Sequence, residues 1–379
     1  MQTMQGKQEP VSTVLLFNEG DPPMNSLRLF SLGLFLISAA LIRASDVVIV
    51  GAVGTQQLTV ARPGERYQAL SIPFLKPSLA RGRFDGVVVD EGGDTLLLDN
   101  DGFLDLSSYE FFSVRITSGP QRGRICGALV EYKTVNEVFR KVLRCYDGGG
   151  VDLATLDGSE AFSVHQVFYL SELFPSNGAV VPAGAVELEA TRVLLFWNGK
   201  FLTYWLSDGT NTGGKRGWAT GGQDGLVRVY DDVGLFPGDG FLIQVPEVTE
   251  PIVITVSGEV LLEPMVQPLR KGFNLVGTIH NLSRTNVSGE PSTKLIDSGL
   301  AESGFAAGAV DSLGGDRVRL YNPATNTFDV TLRLKEIAED WAWEIEQETP
   351  SGANEVAIEP GAAISVFRES GPMLWEVGK

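Results

Sequence analysis

Three groups of residues in this chain have types and spacings that suit chemistry. Trp197, Tyr204, Trp205 and Trp218 fall within 22 residues, beside Asn198, Asp208 and Asn211. Aromatic rings exposed on a sheet offer flat apolar faces on which sugar rings stack, while nearby amides and carboxylates bond the hydroxyls. A carbohydrate platform is one expectation, and rings that fill a sheet core are the other. The run Asp99-Asn100-Asp101-Gly102-Phe103-Leu104-Asp105 sets carboxylates and an amide around a glycine turn. Hard oxygen ligands of this kind suit Ca²⁺, with Asp99, Asp101 and Asp105 as its ligands; a plain Asx-type turn is the alternative. The spacing is not that of an EF-hand, where glycine takes the sixth place and glutamate the twelfth. Cys126 and Cys145 stand 19 apart in two expected strands joined by a turn. In an oxidising compartment such a pair is expected to form a disulfide, worth about 3 kcal/mol for a loop of that length. Buried thiols and a two-cysteine metal site are the alternatives, and neither histidine stands near enough in sequence to favour the metal.

The usual catalytic constellations do not occur in the sequence. His165 and His280 are its 2 histidines, and His165 lies in the alternating pattern Phe162-Ser163-Val164-His165-Gln166-Val167-Phe168, which reads as a side chain on a sheet face. No Gly-x-Ser-x-Gly elbow, His-Glu-x-x-His pair, P-loop or dinucleotide fingerprint is present. Carboxylate pairs such as Glu336–Asp340 and Asp231-Asp232 are unspecific among 47 acids, although a glycosidase would need two of them facing across a cleft. The leading expectation is an exported, non-enzymatic β-protein with a structural or adhesive role at the cell envelope or outside the cell; a carbohydrate-binding module using the Trp197–Trp218 cluster and a carboxylate-dependent hydrolase are the alternatives.

The elements that position these residues read as short strands. Apolar runs such as Val47–Val53, Gln68–Phe74, Phe111–Thr117, Arg192–Trp197, Phe241–Val245 and Ala363–Phe367 recur between turn formers such as Asp147-Gly148-Gly149-Gly150 and Pro237-Gly238-Asp239-Gly240. With 44 Gly and 19 Pro in 379 residues, this spacing predicts an all-β fold of antiparallel sandwich or barrel units. Val135–Leu143 and Leu334–Trp343 are the only helix candidates, and each is short enough to be a strand.

The C-terminal half repeats itself. Arg192-Val193-Leu194-Leu195-Phe196-Trp197-Asn198 parallels Arg317-Val318-Arg319-Leu320-Tyr321-Asn322 at an offset of 125, and Trp218 parallels Trp343 at the same offset. Pro237-Gly238-Asp239-Gly240-Phe241-Leu242-Ile243 parallels Pro360-Gly361-Ala362-Ala363-Ile364-Ser365-Val366 at an offset of 123. Two copies are too few for a solenoid and predict a duplicated β-unit. The expected divisions are an N-terminal β-domain over 45–175, a first unit over 176–250 and a second over 251–379.

The amino end predicts an address. Met24-Asn25-Ser26-Leu27-Arg28 leads into an apolar run from Leu29 to Ile42, followed by Arg43-Ala44-Ser45-Asp46. One cation, an apolar stretch shorter than the roughly 20 residues a spanning helix needs, and a small residue before polar sequence make a secretory signal peptide over 24–44. Residues 1–23 are polar and proline-bearing, and read as an upstream extension ahead of a start at Met24. No other run is long enough to predict a transmembrane span. The net charge of −17 argues against a nucleic-acid partner, because phosphate binding needs a basic face. A glycan or another envelope protein remains the expected partner, with no cofactor motif in sight.

The run Ala69-Leu70-Ser71-Ile72-Pro73-Phe74-Leu75-Lys76-Pro77 and the segment Phe112–Gly123 resemble an uncharacterised family of exported β-rich proteins from verrucomicrobial-type bacteria. Leu173-Phe174-Pro175, the surroundings of Trp218 and the Pro237–Gly240 turn extend the resemblance over most of residues 47–370. It implies export and β-structure, carries over no catalytic residue, and has no counterpart for the two cysteines.

Overall fold

Among the described residues, the alternating runs between glycine turns pair as antiparallel strands from Ala52 to Val377. The computed structural model describes residues 52–377 outside 64–66, 84–85, 90–94, 99–110, 147–155, 157–158, 198, 223–225, 231–232, 247, 262–264, 278–293, 309–314, 323–324, 326, 338–339, 346–355, 357 and 359–360. The expected signal segment 24–44, the Ca²⁺ candidates Asp99, Asp101 and Asp105, and His280 lie outside the described residues. Among the described residues no helix is long and apolar enough to cross a membrane.

Two strands come first, β1 (Ala52–Ala61) and β2 (Gln68–Ser71). Seven follow, namely β3 (Ser78–Arg83), β4 (Gly86–Val89), β5 (Thr95–Leu98), β6 (Phe111–Ile116), β7 (Ile125–Val135), β8 (Val138–Tyr146) and β9 (Ala161–Gln166). They make one sheet of order β3-β9-β6-β7-β8-β5-β4. The short β10 (Phe168–Tyr169) and the one-turn helix α1 (Leu170–Leu173) lead to β11 (Arg192–Trp197), β12 (Lys200–Ser207), β13 (Gly217–Gly221) and β14 (Val227–Tyr230). Then come β15 (Gly234–Leu235), β16 (Gly240–Gln244) and β17 (Ile252–Val260). The last seven are β18 (Met265–Leu269), β19 (Gly272–Gly277), β20 (Arg317–Asn322), β21 (Thr327–Ile337), β22 (Asp340–Ile345), β23 (Ala363–Arg368) and β24 (Met373–Val377).

The duplication is written in the strand register. One sheet runs β14-β13-β12-β11-β16-β2 and another β22-β21-β20-β23-β19, so that the first five-strand stretch β13 to β2 has the order of the second. Val193 faces Ile243 across β11 and β16, and Val318 faces Val366 across β20 and β23. Leu206 stands opposite Trp218, and Leu334 opposite Trp343. The first and last strands of each repeat also pair, β1 with β17 and β18 with β24. One repeat therefore spans β1 to β17, with the β3–β9 sheet inserted after its second strand, and the other spans β18 to β24. Each piece has its own core. Phe74, Phe174, Trp218 and Phe241 centre the first, Trp343 and Trp375 the second, and Phe112, Val114 and Phe162 the insertion.

The repeats meet reciprocally. Gly277 N donates to Gly238 O at 2.9 Å, and Ser71 N donates to Gly361 O at 2.8 Å. Since Ser71 pairs with Gly240 as Gly277 pairs with Ala363, these are the same bond made twice. Such self-complementary exchange is what a two-fold axis produces in a dimer. The axis forces small side chains where equivalent residues meet. A Cβ on Gly277 would fall 1.9 Å from Ser71 Cβ, and one on Gly240 would fall 2.7 Å from Ala363 Cβ. Both turn glycines, Gly238 and Gly361, have φ near +85° (86° and 85°), a backbone region that glycine enters without steric cost.

Two expectations are corrected. The helix candidates are hairpins: β7 and β8 are joined by Asn136 and Glu137, whose φ values of 49° and 65° are those of a two-residue hairpin turn, and Leu334 and Trp343 face each other across β21 and β22. Cys126 and Cys145 are buried and not joined by a disulfide. Cys145 lies opposite Ala128, so Cys126 is its diagonal neighbour two residues along. Diagonal positions are about 7–8 Å apart, beyond the usual Cα separation of a disulfide. Cys126 Sγ instead donates to the Val114 carbonyl at 3.7 Å.

Candidate functional site

Strand alternation divides the aromatic cluster, because neighbours on a strand point to opposite faces. Trp218 is 0% exposed, edge-on to Phe174 at 6.1 Å, and its indole N–H donates to the Phe174 carbonyl at 3.3 Å. Trp205 is buried on the other face, among Ala190, Ala219 and Val229. Neither serves a surface platform, and that part of the expectation is corrected. Trp197 and Tyr204 are different. Both are half-buried, and both line a cleft beside the repeat interface.

The cleft has two chambers of about 110 and 330 Å³, which share Phe196, Trp197, Phe236 and Asp239. Trp197 stacks on Phe236 at 6.3 Å and 27°, and Phe111 from the insertion meets Phe236 edge-on at 5.9 Å. Tyr204 meets Tyr230 edge-on at 6.4 Å. The second repeat supplies the polar side through Gln267, Arg270 and Asn274, and the insertion adds Ser113 and Cys126. Asn274 fixes the β18–β19 turn by donating to the carbonyls of Arg270 and Gly272 at 2.8 and 3.1 Å, while its Oδ1 accepts from Arg270 N at 2.8 Å. Gln267 is 6% exposed, and its amide N–H donates to the Gly238 carbonyl. Its Oε1 has no hydrogen-bond partner among the described residues. The atom is itself buried, so an acceptor left unmet there costs stability.

Asp239 is both accessible and enclosed. Its side chain keeps contact with water, yet it belongs to the wall of both chambers. Lost solvation pushes its pKa up to about 7, with the Arg270 guanidinium pulling the other way. Water in the cleft screens part of that effect, so the rise is fullest when a ligand covers the carboxyl. Among the described residues lining the two chambers, Asp239 is the one carboxylate, and no histidine joins it. His165 lies elsewhere, 2% exposed between β9 and β3, with Nδ1 2.7 Å from the Lys76 carbonyl and Nε2 2.8 Å from Ser163 Oγ. Burial lowers its pKa to about 4, so it is a neutral core residue at physiological pH.

Neither residue type nor spacing marks Asp239, Phe236, Gln267 or Arg270 in the sequence. The one signal pointing to Asp239 is the mismatch inside the repeat, where Gly238-Asp239-Gly240 stands against Gly361-Ala362-Ala363. Comparison with protein-family models, curated proteins and solved structures finds no match for this chain.

Proposed function

We propose that this chain is an exported, non-enzymatic binding protein of the cell envelope or its surroundings, which holds a neutral carbohydrate in the cleft beside its repeat interface. The observation that carries the proposal is the lining: a stacked Trp197–Phe236 wall with Tyr204 and Tyr230, together with the Asp239 carboxyl and the Arg270 side chain. Apolar ring faces with a few convergent polar atoms suit a sugar, whose faces are apolar and whose edges are hydroxyls. The net charge of −17 disfavours anionic polymers and leaves neutral ones. Binding is favoured over hydrolysis because a glycosidase needs a second carboxyl facing the first, and Asp239 is the one carboxylate among the described residues lining the cleft. Export rests on the tripartite segment 24–44 and on the resemblance to exported β-rich proteins.

Affinity electrophoresis on neutral polysaccharides, backed by a glycan array, tests this. Retardation on at least one polymer is expected, and Trp197→Ala should weaken it by at least about tenfold, equivalent to about 1.4 kcal/mol or more. Trp205→Phe, on the opposite sheet face, should leave it unchanged. Retardation on none of the polymers would overturn the proposal.

A further inference from the structure

The duplication that builds the fold also rebuilds the cleft. In the first cleft, Gln267 of β18 lies beside Gly238 and Asn274 stands on β19. On the other side of the pseudo-two-fold, apolar Leu58 of β1 takes the place nearest Gly361, and Gln56 lies behind it with its Nε2 3.5 Å from where a Cβ would stand. Gln68 of β2 faces Ile243 as Asn274 of β19 faces Val366, so one amide recurs in an equivalent place. Tyr321 replaces Phe196 at the offset of 125, and its ring meets Phe328 edge-on at 5.2 Å. An arginine follows the first strand in both repeats, Arg62 after β1 and Arg270 after β18.

Gln56, Arg62, Gln68 and Tyr321 line a cavity of about 420 Å³, together with the apolar Leu70 and Ile364. Its amides, tyrosine and arginine are hydroxyl-bonding groups placed over an apolar patch, as in the first cleft. Besides Tyr321, two further differences bear on binding. Ala362 stands where the first cleft has Asp239, and Asn322 where it has Trp197. Among the described residues, the second cavity therefore lacks both the carboxyl and the broad indole face.

We propose that this cavity is a second carbohydrate site, which makes the chain bivalent. The proposal rests on the reading of the first cleft as a sugar site. The second site should be the weaker, since a smaller ring buries less of the sugar face. Bivalence gives such a protein a use, because two sites on one rigid body can bridge two polymer strands and raise avidity without any new contact.

Titration calorimetry with neutral hexasaccharides (cellohexaose, laminarihexaose, maltohexaose and xylohexaose) reads the number of sites directly. Two equivalents per chain are expected for one of these probes, falling to one in Trp197→Ala, to one in Tyr321→Ala, and to none in the double variant. One equivalent, lost in Trp197→Ala and kept in Tyr321→Ala, would overturn the second site and leave the first standing. Binding of none of the probes would overturn both. A measurement on the unaltered protein guards against misfolded variants. A bivalent chain should precipitate or thicken a solution of the long polymer at a ratio near one chain per two strands, whereas a chain with one site would leave it clear.

Discussion

At the scale of single residues, Asp239 is the group whose chemistry depends most on its surroundings. A neutral ligand that covers its carboxyl removes the remaining water and raises its pKa further, so binding takes up a proton. Affinity should therefore fall as pH rises towards about 7, the value that full loss of solvation gives this group and that water in the open cleft holds it below. If the bound carboxyl's pKa lies one pH unit above that of the free one, the fall is about tenfold. The raised value also acts on the fold, with a definite sign. A carboxyl with a raised folded pKa contributes stability that is fully present below its ordinary value of 3.8 and is lost as pH rises through about 7. Asp239→Asn should flatten the pH profile of binding between 6 and 8, and proton uptake seen by calorimetry in buffers of different ionisation heat should vanish with it. A profile that keeps its slope in Asp239→Asn would assign the dependence to another group. Little of this is legible in the residues alone. The four aromatics stand out by type, yet Tyr204 and Trp205 are adjacent on a strand and cannot share a face. Asp239 is hidden because it is one acid among 47.

At the scale of elements, the two repeats solve one problem in two ways. Asp316 precedes β20, and Arg368 ends β23. Their side chains are 0% and 4% exposed and form a buried ion pair. Asp316 also accepts from the backbone N–H of Ala306 and Glu369, each at 2.7 Å. Burial lowers the pKa of Arg368 and the Asp316 charge opposes that change. The equivalent residues of the first repeat are Thr191, which precedes β11, and Val245, which follows β16; both are buried, and neither is charged. A buried pair is costly to break and often cheap to replace as a whole. Asp316→Ala should cost about 3–5 kcal/mol by leaving Arg368 buried without its partner. Asp316→Thr with Arg368→Val, the identities found in the first repeat, should recover a large part of that loss, the remainder reflecting the amides that Asp316 served. Urea unfolding of the single and double variants gives the coupling, and simple additivity would sink this account. The repeat itself is readable because β11, β16, β20 and β23 carry matching apolar residues in matching register. Its first strands are not. The four residues of β2 pair through backbone hydrogen bonds that place little demand on side chains, and the inserted sheet separates them from β11. The disulfide expectation fails on a similar point, since sequence separation does not reveal a two-residue offset in register.

At the scale of the whole molecule, the β3–β9 sheet is an insertion with its own core, and its removal is the sharpest test of the architecture. Ser78 of β3 is paired with His165 of β9, so the two ends of the insertion are neighbours, as they are where natural insertions are tolerated. The insertion is not detached from the rest. Arg124 bridges to Val266, Val266 N donates to the Gly123 carbonyl at 2.9 Å, and Ile125 enters the core of the second repeat. Phe111 meets Phe236, and Ser113 and Cys126 wall the smaller chamber. None of these residues lines the cavity that holds Tyr321. Replacing residues 79–164 with a short glycine-containing turn should thus leave both repeats folded around their shared pseudo-two-fold. The melting temperature should be lower, because Leu75 and its neighbours lose the cover of Ile125. The shortened chain should keep a β-sheet circular dichroism spectrum and a single cooperative transition. Sugar binding at the Trp197 cleft should weaken while binding at the Tyr321 cavity persists. A shortened chain that is unfolded or aggregated would show that the insertion is integral to the body, because the first repeat would then need it to hold β2 against β16 at the edge on which the repeat interface is built.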